Sequence, residues 1–340
     1  MKNSPHNQLA FNNLLSWFLS GKSKILDKQG DWAADIVAKN ISAQFFYLKK
    51  EKKGKFKKKI INVKILNQSY FNKIDKSFFY HVKTLQRSVK KLNIFVQNFL
   101  IHGSFATLDY KKGWSDLDTL IILKEQSILD YKKLKLFRKL ILNLEKYLYK
   151  IDPLQHHGFI FITNLDLANY HSAYLPIEVL HNSLSLTKSE KIKINYRRDK
   201  KFWKKKLLDI HALFKKASKE KILFHHPYNG IFLKENFRNM NAMYQMKFFL
   251  SLIMLLPCIY LDAIGKPAYK KYSFKILKNN LKINDELIKK ATNIRNLWPK
   301  NEKHPFKNNR IPKWLIKILG RNYFKRALTL VDELLSSIKH

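Results

Sequence analysis

The run Leu117–Leu123, LDTLIIL, constrains this chain more than any other stretch. It is too apolar to border water, so it reads as a buried strand, bounded by a glycine-containing loop on one side and a helical pattern on the other. Two carboxylates interrupt that character at its mouth, where Ser115-Asp116-Leu117-Asp118 leads in. In extended backbone residues i and i+2 point to the same face, so Asp116 and Asp118 stand side by side. Adjacent carboxylates repel, and apolar surroundings make ionisation costlier still. A divalent cation resolves that cost, and Mg²⁺ takes one or two carboxylates together with substrate phosphate oxygens.

Around this strand the spacing predicts a small α/β unit. Residues 94–101 form a strand-like run ahead of Gly103-Ser104. Ser127–Tyr149 carries helical spacing at Leu129, Leu134, Phe137, Leu140, Ile141, Leu144 and Leu148, and Gly158–Thr163, GFIFIT, reads as a third strand. Upstream, Phe11–Leu48 reads as helices, with Asp31 as a start signal. Lys49–Lys59, KKEKKGKFKKK, reads as a solvated loop, Ile60–Leu66 as a short strand and Phe78–Leu92 as a helix. From Leu180 onward the signals are almost purely helical, over Arg197–Lys216, Glu235–Leu261, Asp285–Leu297 and Trp314–Ile338. The expected organisation is a mainly helical region over 1–92, a catalytic core over 93–186 and a helical domain over 187–340.

Lys and Arg number 66 against 25 Asp and Glu, a formal charge of +41 in 340 residues, while 46% of the chain is hydrophobic. The apolar content excludes a wholly disordered chain. The charge favours phosphates, nucleic acid and anionic surfaces as partners. One cysteine, Cys258, excludes an internal disulfide and a cysteine-rich zinc site, and a cytoplasmic setting is the expectation. Leu9–Leu19 is broken by Asn12 and Asn13 and fails as a signal peptide, and Phe248–Leu261 is short for a span and contains Pro257. No membrane span is expected.

Gly103 lets a backbone turn approach a phosphate, and Ser104 offers its hydroxyl and N–H. The combined stretch, HGSFATLDYKKGWSDLDTLIIL, resembles the signature of the DNA-polymerase-β-like nucleotidyltransferase superfamily: an apolar residue, Gly-Ser, a spacer, and Asp-x-Asp leading into an apolar strand. The resemblance covers about residues 93–165. It implies an α+β fold with a small mixed sheet, helices on one side, flanking N-terminal helices and a following helical domain. It also implies transfer of a nucleotidyl group from a nucleoside triphosphate to an acceptor, with two Mg²⁺ (or Mn²⁺) ions. On that basis Asp116 and Asp118 would be metal ligands, and Gly103, Ser104 and Ser115 would contact the nucleotide.

The superfamily usually carries a third carboxylate on a neighbouring strand, and GFIFIT contains none. His157, just before it, would take that place as metal ligand and catalytic residue, with His156 as second choice, unless both histidines only cap the strand. Glu178 in LPIEVL is the rival if that segment is the strand instead. In relatives with a helical second domain, basic and hydroxyl side chains reach the triphosphate. Lys247, in an apolar helix, and Lys270, Lys271 and Ser273, after the turn at Gly265, are the candidates here. Gly21-Lys22-Ser23 lacks the first glycine of a P-loop, His225-His226 lacks partner ligands, and Cys258 reads as core. The resulting expectation is a Mg²⁺-dependent nucleotidyltransferase releasing pyrophosphate, its acceptor a small molecule or protein. An RNA- or DNA-directed transferase is the alternative, as is a regulator of the same fold that binds nucleotide or nucleic acid without catalysis.

Overall fold

The first helices follow from where their apolar residues fall. In the computed structural model α1 (Pro5–Phe18), a short 3₁₀ turn at Gly21–Lys24, α2 (Ile25–Gln29) and α3 (Asp31–Lys50) run in sequence. α3 opens on Asp31 and closes on Lys49 and Lys50, charges that suit the two ends of the helix dipole. It buries Ala33, Ala34, Ala38, Ile41 and Phe45 along one face. The structure describes residues 5–50, 57–74, 76–151, 158–171, 175–220, 223, 242–301 and 311–338.

The chain then builds β1 (Lys57–Ile65), α4 (Gln68–Phe71), α5 (Lys76–Lys90), β2 (Val96–Ile101), α6 (Gly103–Ala106) and β3 (Thr119–Leu123). There follow α7 (Glu125–Leu129), α8 (Tyr131–Ile151), β4 (Ile160–Ile162), α9 (Asn164–Ala168), β5 (Tyr170–His171), α10 (Ile177–His181), β6 (Leu184–Ser185) and β7 (Glu190–Arg197). The strands form one mixed sheet in the order β4-β3-β2-β6-β1-β7-β5. β3 runs antiparallel to β2 and parallel to β4. Every β3 side chain is buried, as its apolar sequence demands. Ile121 and Leu123 join the core beneath α1, α3, α5 and α8, while Leu120 and Ile122 join a smaller core with α9 and α10. The fold is thus α+β with a mixed sheet, as expected.

Two expectations fail at the far side of this sheet. The stretch after Leu180 is not purely helical: β6 and β7 lie within it, and β7 pairs with β1 from Lys57↔Tyr196 to Val63↔Glu190. Its sequence EKIKINYR alternates with period two, burying Ile192, Ile194 and Tyr196 and exposing Lys191 and Lys193. Glu178 is on a helix, α10, not on a strand. The predicted helix over Ser127–Tyr149 is two, because Asp130 Oδ1 accepts the amides of Lys132 and Lys133 and restarts the chain as α8. Of the Lys49–Lys59 run, Lys49 and Lys50 end α3 and Lys57–Lys59 begin β1, while 51–56 lie outside the described residues.

Contacts divide the chain into Met1–Tyr110 with Ser115–Arg197, and Lys111–Trp114 with Arg198–His340. The first unit holds the sheet and the helices above. The second holds α11 (Lys200–Glu220), α12 (Ala242–Ile264), α13 (Lys270–Asn280), α14 (Glu286–Asn301), α15 (Lys313–Leu319) and α16 (Tyr323–Ile338). The expected helix over 314–338 breaks at Gly320, whose φ of 75° ends α15. Trp298 lies fully buried in this unit between Trp114 and Trp314. Gln245–Ile264 is long and apolar enough to cross a membrane, and most of it is buried among the helices of its own unit.

Candidate active site

β2 and β3 end and begin side by side. Ile101 pairs with Thr119, and the His102 amide donates to the Asp118 carbonyl at 3.0 Å, extending the ladder one step. The chain therefore leaves β2 and returns to β3 at the same place, which brings residues fifteen apart in sequence into contact. Gly103 sits on this step with φ of 69°. A Cβ there would collide with the Asp118 carboxylate, with Cγ at 3.2 Å and the aspartate's own Cβ at 3.4 Å. Glycine is required twice over, by the left-handed backbone and by the closeness of Asp118.

Gly103–Ala106 make one turn of helix, held by the Thr107 amide on the Gly103 carbonyl at 3.3 Å and the Asp109 amide on the Ser104 carbonyl at 2.8 Å. Phe105 anchors it in the core against Phe78 and Tyr110. The Tyr70 hydroxyl donates to the Phe105 carbonyl, and burial pushes that hydroxyl well above the ordinary phenol range. Ser104 stays half-buried on the same turn.

On the β3 side, Leu117 is fully buried in the helix-covered core, while Asp116 and Asp118 flank it half-buried. That alternation is what extended backbone requires, and it leaves both carboxylates on the side away from Leu117. Ser115 is buried beside them. Gly103, Ser104, Ser115, Asp116 and Asp118 thus occupy one end of the β2–β3 pair. Two partly exposed carboxylates beside a tight Gly-Ser turn are a donor set that suits a hard divalent cation carrying phosphate oxygens. Among the described residues no group of three His, Cys, Asp or Glu side chains converges as a metal site.

The remaining predicted residues belong to other segments of the chain. His156 and His157 lie outside the described residues, as do His225 and His226. β4 pairs with β3 at Leu120↔Ile160, and that register carried two residues back brings Gly158 alongside Asp118. A carboxylate that sequence reasoning missed approaches Gly158 from α8. Glu145 is buried, and a Cβ on Gly158 would lie 2.6 Å from its Oε1, one on Gly21 2.7 Å from its Oε2. Burial raises its pKa, opposed by the Gly21 amide and the Lys24 charge. Its signal was present in α8, where Glu145 stands between the core positions Leu144 and Leu148.

Lys247, Lys271 and Ser273 belong to the helical unit. Lys247 is buried on α12, Lys271 is exposed on α13, and Lys270 starts that helix. Ser273 is fully buried and its hydroxyl donates to the Lys270 carbonyl at 2.9 Å, beside the Cys258 thiol, which is an interior role. Burial pushes Cys258 up to about 11, consistent with a core thiol. Ser23, in the discounted Gly21-Lys22-Ser23, bonds the Phe18 and Ser20 carbonyls and accepts from Arg138, a structural junction.

No curated protein and no solved structure matches the chain. A family model does, that of the nucleotidyltransferase domain, and it spans residues 82–165, from α5 through β4. Every residue placed at the end of the β2–β3 pair falls inside that span. The match over residues 82–165 is to the nucleotidyltransferase domain and is consistent with the polymerase-β-like superfamily.

Proposed function

We propose that this protein transfers a nucleoside monophosphate from a magnesium-bound nucleoside triphosphate to an acceptor hydroxyl. The observation that carries the reading is the packing of the Gly103 turn against the Asp118 carboxylate, a turn open to phosphate beside a side chain suited to a metal ion. Asp116 and Asp118 would hold one or two Mg²⁺ ions; when bound, these neutralise triphosphate charge and lower the pKa of a bound oxygen. The Ser104 hydroxyl and the backbone amides of the Gly103 turn would hold and orient the β- and γ-phosphates. The acceptor hydroxyl releases its proton to solvent as its oxygen bonds to the α-phosphorus, the bond from that phosphorus to the bridging oxygen breaks, and pyrophosphate leaves with its electron pair.

A nucleic-acid acceptor has one observation in its favour. The outward positions of the β1–β7 ribbon carry Lys58, Lys64, Lys191, Lys193 and Arg197, all exposed, and no carboxylate. Such a face attracts a phosphate backbone and would give binding a steep salt dependence. Incubation with each α-labelled triphosphate and Mg²⁺ or Mn²⁺ in cell extract, then separated into RNA, protein and small molecules, tests both readings. Label in one fraction, lost in Asp116→Ala/Asp118→Ala, identifies the acceptor class. Triphosphate binding without label in any fraction would leave a binding protein and end the transferase reading.

A further inference from the structure

α3 is apolar on both sides. Its inner face packs into the core, yet Trp32, Ile36, Phe46 and Tyr47 are 64%, 57%, 46% and 69% exposed. At 100° per residue these positions fall with Lys39, Ala43 and Lys50 on the stripe opposite Ala34, Ile41 and Phe45. The stripe covers fifteen residue steps, about 22 Å at the helical rise. α3 packs against α1, α2, α7 and α8, and among the described residues this stripe is the part of the helix left exposed. An exposed apolar stripe of this length on a folded domain marks a docking surface.

Charge decides what docks. The stripe carries Lys39 and Lys50 and no acid, and the Lys50 ammonium lies 4.0 Å from the centre of the Phe46 ring. Among the described residues the carboxylates next to it are engaged: Asp31 and Asp35 by Lys135, Glu125 by Lys49, Asp27 by Arg138. Exposed lysines 132 and 139 on α8 add to the positive surround. Tryptophan, tyrosine and phenylalanine at the two ends, isoleucine and alanine between them, and lysines alongside are the composition that sits at a lipid headgroup boundary. The exposed face of a helix is convex and suits a deformable surface, where a protein partner would need a matching recess. We propose that the outward face of α3 docks this protein on a bilayer bearing anionic headgroups, with no segment crossing it.

The test uses the full chain with vesicles of phosphatidylcholine alone or with one third phosphatidylglycerol. Wild type is expected to sediment with the anionic vesicles and to remain in solution with the neutral ones. Trp32→Ser/Ile36→Ser/Phe46→Ser/Tyr47→Ser should lower the partition roughly 100-fold, and Lys39→Gln/Lys50→Gln about tenfold. Tyr80→Ser, equally exposed on α5, should change nothing. If the fourfold variant misfolds, Trp32→Ser alone, and the blue shift of emission lost in Trp32→Phe, give the same reading. Unchanged partition in the stripe variants overturns the proposal, since general charge would then explain binding. So does equal binding to neutral vesicles, a stripe-dependent affinity for single-stranded oligonucleotides without vesicle binding, or a stripe-dependent dimer in solution.

Discussion

Replacing Gly103 by alanine separates the two demands on that position. The left-handed backbone at φ of 69° would cost an L-residue about 1–2 kcal/mol. Forcing a methyl into the space of the Asp118 carboxylate adds about 1–3 kcal/mol, because the carboxylate must swing away. A total near 3 kcal/mol corresponds to a fall of roughly 6–12 °C in the melting temperature of a unit this size. Only the steric part depends on Asp118. In an Asp118→Ala background the obstructing oxygens are gone and the nearest remaining atom, the residue's own Cβ, is 3.4 Å from the new methyl, an ordinary contact. Gly103→Ala should therefore cost only about 1–2 kcal/mol there, a coupling of about 1–3 kcal/mol in a double-mutant cycle by urea unfolding. Strictly additive costs would show that Asp118 does not press against Gly103, and the site would lose its central contact. Nucleotidyl transfer by the single Gly103→Ala variant should fall by at least a hundredfold, because a displaced Asp118 cannot share a ligand with Asp116.

Asp116→Asn should remove transfer by about 10³-fold or more while the melting temperature stays within a few degrees, since the side chain is only half-buried and asparagine keeps its shape; a large stability loss with retained turnover would assign it a structural role. Arg138 is buried and donates to the carbonyls of Phe18 and Ser23, at 3.1 and 2.8 Å, and to Asp27 at 2.7 Å. Arg138→Met should cost about 3–5 kcal/mol by denaturant unfolding, leaving those acceptors unmet. Burial pushes Lys206 down to about 8, with Asp209 opposing. Below pH 8 the amine is charged in both states and the folded protein bears the full penalty; between pH 8 and the ordinary lysine value it releases its proton first, so stability rises with pH by up to about 3 kcal/mol. Lys206→Met should flatten that rise, and an unchanged slope would place the effect elsewhere.

Much of the site was legible because it is local. Asp-x-Asp at period two, and Gly-Ser after an apolar run, declare themselves wherever the backbone is extended. The strand pattern of β7 was equally local yet was passed over, because its alternating lysines in a lysine-rich chain masked a period that only pairing with β1 makes visible. Glu178 was ambiguous for a similar reason: LPIEVL is apolar enough for a strand, and Pro176 just ahead of Ile177 starts α10 instead.

Sequence alone determined the buried strand, the carboxylate pair and the glycine of the turn ahead of it, since each follows from side-chain type and spacing along one chain. Tertiary structure decided what no spacing encodes. It set Gly103 against Asp118 across paired strands, buried Ser273 beside Cys258, brought Glu145 up to Gly21 and Gly158, and left the outer side of α3 uncovered. Those are contacts between segments distant in sequence, fixed by which surfaces remain once the core has been packed.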